Sequence, residues 1–212
     1  GVDGDVAGLV VEEDPRLGIE IGGHGGLTTA SRRAQPLPAD PLTGEARQLA
    51  GGTFVPTGVL RFDVNLGRSA GWYEWWQTNR IEVGRIGELG VSGAQFGLER
   101  RWLLVRRLYG VVGLSGGITR YAVPSGVTKL DDDGEPHEVS AGASSVVGSG
   151  ELGAVVLVSP GLTLRLTGGA RVGPPVRELS WSIDEQTSGT IPLTAPLSPI
   201  GAVGGLSAAW TF

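Results

Sequence analysis

The chain has no cysteine and no methionine, and only two of its 212 residues are histidine. The absence of cysteine excludes a disulfide framework and most structural zinc sites. Charged residues make up 18% of the chain, and its net charge of −5 has the wrong sign for nucleic acid, which needs a basic face. No nucleic-acid partner and no cofactor are therefore expected.

Long hydrophobic runs are also missing. The longest, LGAVVLV at 152–158, is far shorter than the roughly 18 apolar residues of a membrane-spanning helix. Glycine, with 37 residues, and β-branched residues fill the hydrophobic stretches, which disfavours helix and predicts an all-β chain. The chain starts at Gly1 with no signal-peptide pattern, so we expect a mature N-terminus left by processing during export.

Apolar residues alternate with other residues at a period of two, which predicts a set of strands. Eight are expected, at about 16–30, 53–67, 72–83, 89–104, 108–121, 146–158, 162–172 and 199–212. The connections after the second, fourth and sixth strands are short, at 67–71, 105–107 and 159–161. Those after the first, fifth and seventh are long, at roughly 31–52, 122–143 and 174–197, and only the link at 84–88 breaks the alternation.

Short turns at one end and long loops at the other are typical of a transmembrane antiparallel up-and-down β-barrel. Residues 16–212 are predicted to form this barrel, with both termini and the short turns in the periplasm. The acidic residues 1–15 are predicted to be an N-terminal periplasmic segment.

Tryptophan supports this topology, because its half-apolar ring collects at membrane–water interfaces. Five of the six tryptophans fall at the predicted turn end, and the terminal phenylalanine joins them. The expected interface aromatics are Trp72, Trp75, Trp76, Trp102, Trp210 and Phe212.

The last strand resembles a known signal. Leu206, Ala208, Trp210 and Phe212 alternate with small residues and end on an aromatic. In this the chain is similar to small outer-membrane β-barrels of Gram-negative bacteria, of the eight-stranded OmpA type. The resemblance implies an outer-membrane location, recognition by the barrel-assembly machinery, and contact with outer-membrane lipid and lipopolysaccharide. A protein partner in the envelope is a separate expectation, tied to the role of a subunit in an envelope assembly. The irregular third strand, WYEWWQTNRIEVG, departs from the pattern.

If the apolar sides of the strands face lipid, the opposite sides line the lumen. Eight strands leave room there only for side chains. The residues expected inside are Glu20, His24, Arg61, Asp63, Arg80, Glu82, Glu99, Glu151, Arg165 and Arg171. Because buried charges persist when paired, this set predicts a salt-bridged plug. Glu151 is expected to pair with Arg171 on the next strand, and Arg165 with an acid from another strand.

A non-enzymatic, structural outer-membrane barrel, or a subunit of an envelope assembly, is therefore the favoured function. Alternatives are a lipid-modifying enzyme that uses His24 or His137, a narrow porin-like channel, and a soluble lipocalin-like carrier. The carrier is disfavoured because charges lie mid-strand.

Two other motifs have the composition of binding sites. The acidic stretch at 131–138 offers Asp131, Asp133 and Glu135 as a weak calcium site, although its spacing does not fit an EF-hand. GGHGG is not a phosphate loop, since no helix is predicted after it.

Overall fold

The computed structural model describes residues 17–28, 35–45, 48–49, 54–69, 73–87, 89–123, 127–183, 187–198 and 200–212. The predicted segment 1–15 and Trp72 lie outside these residues. No helix of the described part is long and apolar enough to cross a membrane.

Eight long strands form a closed antiparallel barrel, as the sequence predicts. They are β1 (Leu17–Thr28), β4 (Phe54–Ser69), β5 (Tyr73–Ile86), β6 (Leu89–Val105), β7 (Leu108–Ala122), β10 (Gly142–Ser159), β11 (Leu162–Val172) and β14 (Gly201–Thr211). Each pairs with the next, and the last pairs with the first. At this seam the backbone N–H of Phe212 donates to the carbonyl of Leu17 at 2.9 Å. This bond extends the β1–β14 pairing that closes the barrel.

The outer surface of the barrel is an apolar belt. Side chains such as Leu114, Leu152 and Leu166 are 71%, 64% and 63% exposed, and they alternate with buried polar residues on the same strands. An aqueous protein does not expose a continuous surface of this kind, whereas a lipid-facing barrel requires one. The structure therefore has a hydrocarbon-facing wall around a polar interior.

The end of the barrel opposite its termini is built differently from the expected loops. Six short strands lie in the long connections: β2 (Gln35–Pro36), β3 (Gln48–Leu49), β8 (Val127–Leu130), β9 (Pro136–Val139), β12 (Val176–Ser182) and β13 (Ser188–Leu197). They pair as three hairpins, and β12 also contacts the start of β10.

These hairpins pack on the ends of the barrel strands around an apolar cluster, which we call the cap. Its buried members are Leu37, Ile86, Leu89, Val91, Tyr121, Val123, Val127, Val139, Ala141, Val176, Leu179, Ile191 and Leu197. The molecule thus has two interiors in series, a polar one inside the barrel and an apolar one above it.

Candidate functional site

The polar interior of the barrel is the candidate functional site. Nine charged side chains lie in it at 8% exposure or less, and Arg171 joins them at 15% side-chain exposure. The nine are Glu20, Arg61, Asp63, Arg80, Glu82, Glu99, Arg101, Glu151 and Arg165. They point inward because successive side chains of a strand point to opposite faces, and these residues alternate with the lipid-facing ones.

Glu99 is the centre of the cluster nearer the turn end. It accepts hydrogen bonds from Arg61 Nη2 at 2.7 Å, Arg101 Nε at 2.6 Å and both terminal nitrogens of Arg165. Asp63 joins two of the same arginines, at 2.6 Å to Arg61 Nε and 2.9 Å to Arg101 Nη2. Three guanidinium groups and two carboxylates therefore form one interlocked unit.

Glu20 lies beside this unit. Its carboxylate accepts a hydrogen bond from the Ser207 hydroxyl and lies 3.9 Å from Arg61 Nε and 3.8 Å from Arg165 Nε. It therefore ties the seam strands β1 and β14 to the centre of the lumen.

Arg80 is the centre of a second cluster, nearer the cap. It donates to Glu151, to Gln95 Oε1 at 2.8 Å and to Ser149 Oγ at 3.3 Å, and its Nε lies 3.1 Å from Glu82. The two clusters meet where Arg165 Nη2 lies 3.9 Å from Glu151. The interior charges thus form a continuous network along the barrel.

The expected pairing of Glu151 with Arg171 is wrong. Arg171 Nη2 instead bonds both oxygens of Glu82, at 2.7 and 2.6 Å, while Glu151 bonds Arg80. In a narrow closed barrel a long side chain reaches the opposite wall as easily as the next strand, so partners across the lumen compete with neighbours. Arg165 does bond an acid from another strand, Glu99.

Arg101 is a lumen residue that was not among those predicted from the sequence. It lies two residues after Glu99 and therefore on the same face of β6, so the parity that selected Glu99 also selects Arg101. With it, the five carboxylates of the network face five guanidinium groups, where the sequence predicted five against four.

The aromatic assignment also needs one correction. Trp75, Trp210 and Phe212 are exposed on the barrel surface, at 40%, 44% and 73%. Trp76 is only 1% exposed, with Arg101 4.1 Å from its ring and its Nε1 donating to Glu74. Adjacent strand residues point to opposite faces, so Trp75 and Trp76 do not both face lipid.

Trp102 is half-buried on the outer face of β6, where it covers Gly110 of the next strand. A Cβ on Gly110 would overlap the indole ring, so glycine there is what lets the ring lie flat.

The two histidines lie in different parts of the molecule. His24 faces the lumen and lines a cavity of about 50 Å³ together with Glu82, Tyr121 and Arg171. His137 lies in the β8–β9 hairpin, where its Nε2 is 2.8 Å from Asp131 Oδ2. Among the described residues no hydrogen bond joins either histidine to a serine, so no Ser–His–acid arrangement is formed there.

The acidic hairpin has a structural arrangement of its own. Asp131 Oδ1 accepts the backbone N–H groups of Asp133 at 3.0 Å and Glu135 at 2.8 Å. The His137 hydrogen bond, followed by these backbone bonds, lowers the pKa of Asp131. Both its oxygens are thus engaged in the turn, and within the described ranges no group of three metal-ligating side chains is assembled.

Two small cavities lie among the side chains inside the described barrel. Besides the cavity at His24, a second one of about 20 Å³ lies between Arg61, Arg80 and Glu99. Volumes of this size hold one or a few water molecules. The interior is therefore a packed ionic core.

Comparison with known proteins bears on the fold. No protein-family model and no curated protein matches the sequence. Among solved structures, the outer membrane protein OprG from Pseudomonas aeruginosa matches at a TM-score of 0.50 and 11% identity, over 93% of this chain and 96% of that one. At this identity the likeness shows the fold alone.

Two further matches are weaker. A major outer membrane protein from Thermus thermophilus has a TM-score of 0.48 and 10% identity, over 92% of this chain and 99% of that one. The outer membrane protease OmpT from Escherichia coli has a TM-score of 0.45 and 9% identity, over 93% of this chain and 97% of that one. The apolar belt and the eight-stranded closure agree with the fold that the likeness to OprG shows, that of a small outer-membrane β-barrel, as predicted.

Proposed function

We propose that this protein is a closed, non-enzymatic outer-membrane barrel that serves as a structural element and carries its cap as a rigid surface on one side of the membrane. The observation that carries the proposal is the interlocked ion network around Glu99 and Arg80. Each charge in it has a partner, so opening a path for ions would strand buried charges at a high free-energy cost. The cap adds a second, apolar obstruction.

The short-turn end, with both described ends of the chain, is proposed to face the periplasm. Short turns lie on that side in barrels of this type, and longer loops outside. The cap would then face the exterior, beside lipopolysaccharide, where its hairpins are available to a protein partner in the envelope.

The terminal strand is proposed to be the segment that the barrel-assembly machinery binds. Phe212 supports this, since its backbone closes the seam while its ring is 73% exposed. Phe212→Asp should reduce the amount of assembled barrel in the outer membrane, with Thr211→Ser as the matched control. Equal amounts of assembled Phe212→Asp protein would contradict this role.

The test of the closed barrel is solute flux into proteoliposomes. Vesicles containing the wild-type protein should swell in a small sugar no faster than vesicles without protein. A variant with Arg80→Ser, Glu151→Ser and Gln95→Ser should swell faster, because three of the side chains that fill the lumen are shortened. Rapid swelling with the wild type would overturn the proposal and favour a narrow channel.

The lipid-modifying enzyme is tested separately through the histidines. His24→Ala and His137→Ala should leave the lipid composition of the membrane unchanged. A lipid product that appears with the wild type and disappears in either folded variant would replace this proposal with an enzymatic one.

A further inference from the structure

Arg100 is an arginine on the outer wall of the barrel. It shares the strand face of Leu98 and Phe96, which are 48% and 56% exposed, and it pairs in register with Trp75 on β5 and Val112 on β7. A charge on the lipid-facing wall is costly at the membrane midplane and tolerated near the interface. Arg100 lies five residues before the β6–β7 turn, near the turn end.

Aromatic rings hold the guanidinium of Arg100 in place. Its central carbon lies 3.9 Å from the centre of the Tyr73 ring and 5.5 Å from that of Trp75. Such stacking leaves the edge of the guanidinium, with its N–H donors, open to an anion.

Arg100 differs from the interior arginines in having no acid. Among the described residues it forms no ion pair, and its buried Nε has no hydrogen-bond partner. Arg101, the next residue on the opposite face, bonds both Glu99 and Asp63. The protein thus neutralises the inward charge and leaves the outward one for a group outside the chain.

An apolar groove begins at this arginine. It has a volume of about 530 Å³ and runs over β5, β6 and β7 away from the turn end. Its sides are Trp75, Phe96, Leu98 and Leu114, and its floor includes Gly116, which has no side chain to fill it. The groove has an apolar lining suited to an acyl chain.

We propose that this groove, with Arg100 at its end, is a binding site for one anionic phospholipid, whose phosphate bonds Arg100 and whose acyl chain lies along Gly116. Charge complementarity identifies the occupant, because an unpaired cation lies where the headgroup of a lipid in the groove would be. Arg106 and Arg107 are exposed in the adjoining turn and add positive charge at the same end. The site needs a lipid-embedded barrel and does not need a closed lumen.

The experiment is native mass spectrometry of the full chain in detergent, titrated with phosphatidylglycerol or phosphatidylcholine of identical acyl chains. One phosphatidylglycerol should be retained in preference to phosphatidylcholine by about fivefold, the size expected for one interfacial arginine. Arg100→Gln should remove this preference. Arg177→Gln, which removes an exposed charge from β12 in the cap, should keep it.

Gly116→Leu tests the groove without touching Arg100. An added Cβ at Gly116 meets only ordinary contact, 3.7 Å from the Val147 carbonyl oxygen, so the variant is expected to fold. It should weaken retention of both lipids by filling the groove. Equal retention of the two lipids by the wild type, an unchanged preference in Arg100→Gln, or unchanged binding in Gly116→Leu would each overturn the proposal. A wild-type protein that shows no lipid preference and forms a dimer, which Gly116→Leu abolishes, would also overturn the proposal. It would assign the groove to a second copy of the chain.

Discussion

The two interiors of this molecule are stabilised by opposite means. Inside the barrel, five carboxylates and five guanidinium groups are held by directional ion pairs, while in the cap thirteen apolar side chains pack without any charge. Both regions are buried in the same protein, a few residues apart along the same strands. The outside of the barrel wall must be apolar, so the polar residues of its strands face the lumen, whereas the hairpins of the cap pack around an ordinary apolar core.

The largest effect is expected at Glu99. Glu99→Gln removes the charge that binds Arg61, Arg101 and Arg165, and leaves three buried cations with too few acids. The free energy of unfolding should fall by about 3–5 kcal/mol. Urea unfolding in detergent or lipid measures it, and Glu178→Gln, exposed on β12, is the control. A loss as small as that of the control would show that the network contributes little.

In the cap the sensitive position is Leu179, which is fully buried. Leu179→Ala leaves an apolar cavity and should destabilise the cap by at least about 2 kcal/mol. Hydrogen exchange should speed up in β12 and β13 and stay unchanged in β5 and β6. Faster exchange throughout the barrel would mean that the two interiors unfold as one unit.

A double-mutant cycle on Arg80 and Glu151 separates the energy of their ion pair from the other effects of each substitution. Each single change to glutamine should be costly, while the double change should cost less than their sum, with a coupling energy of about 1–3 kcal/mol. Urea unfolding of the four proteins gives this energy. Additive losses would show that the two side chains do not interact across the lumen.

The polar interior of the barrel could be predicted from the sequence, because apolar and polar residues alternate along its strands with a period of two. Alternation along β1, β4, β5, β6, β10 and β11 identified the strands, the lipid-facing side and nine of the ten charges inside. The alternation did not identify the ion-pair partners. Arg171 and Glu82 meet across the lumen, and the sequence of neither strand gives the distance between opposite walls. The same alternation also predicts that the side chains of Trp76 and Arg101 point inward, as the structure has them.

The cap was not predicted because nine of its thirteen buried members lie in the long connections, either in strands of two to ten residues or outside any strand. Leu37, Val127 and Leu179 come from three separate connections, each with too few alternations to show a period. Proline, glycine and charge in the same segments indicated loops. Only tertiary packing brings these scattered side chains together.

The smallest effect is expected in the β8–β9 hairpin, which is exposed. The lowered pKa of Asp131 means that its carboxylate stabilises the turn fully above the ordinary value of 3.8 and loses this effect as the pH falls through the lowered value. Asp131→Asn should speed amide exchange of Asp133 and Glu135 at neutral pH, whereas Asp132→Asn should not. Identical amide exchange in both variants would show that the Asp131 carboxylate does not stabilise this turn.

Single-channel recording in a planar lipid bilayer is the sharpest test of the claim that the charge network closes the lumen. The wild-type protein should insert without conductance steps, and the variant with Arg80→Ser and Glu151→Ser should show them, since both side chains that join β5 to β10 are shortened. Steady, uniform conductance steps from the wild-type protein would contradict the claim and show an open, water-filled lumen.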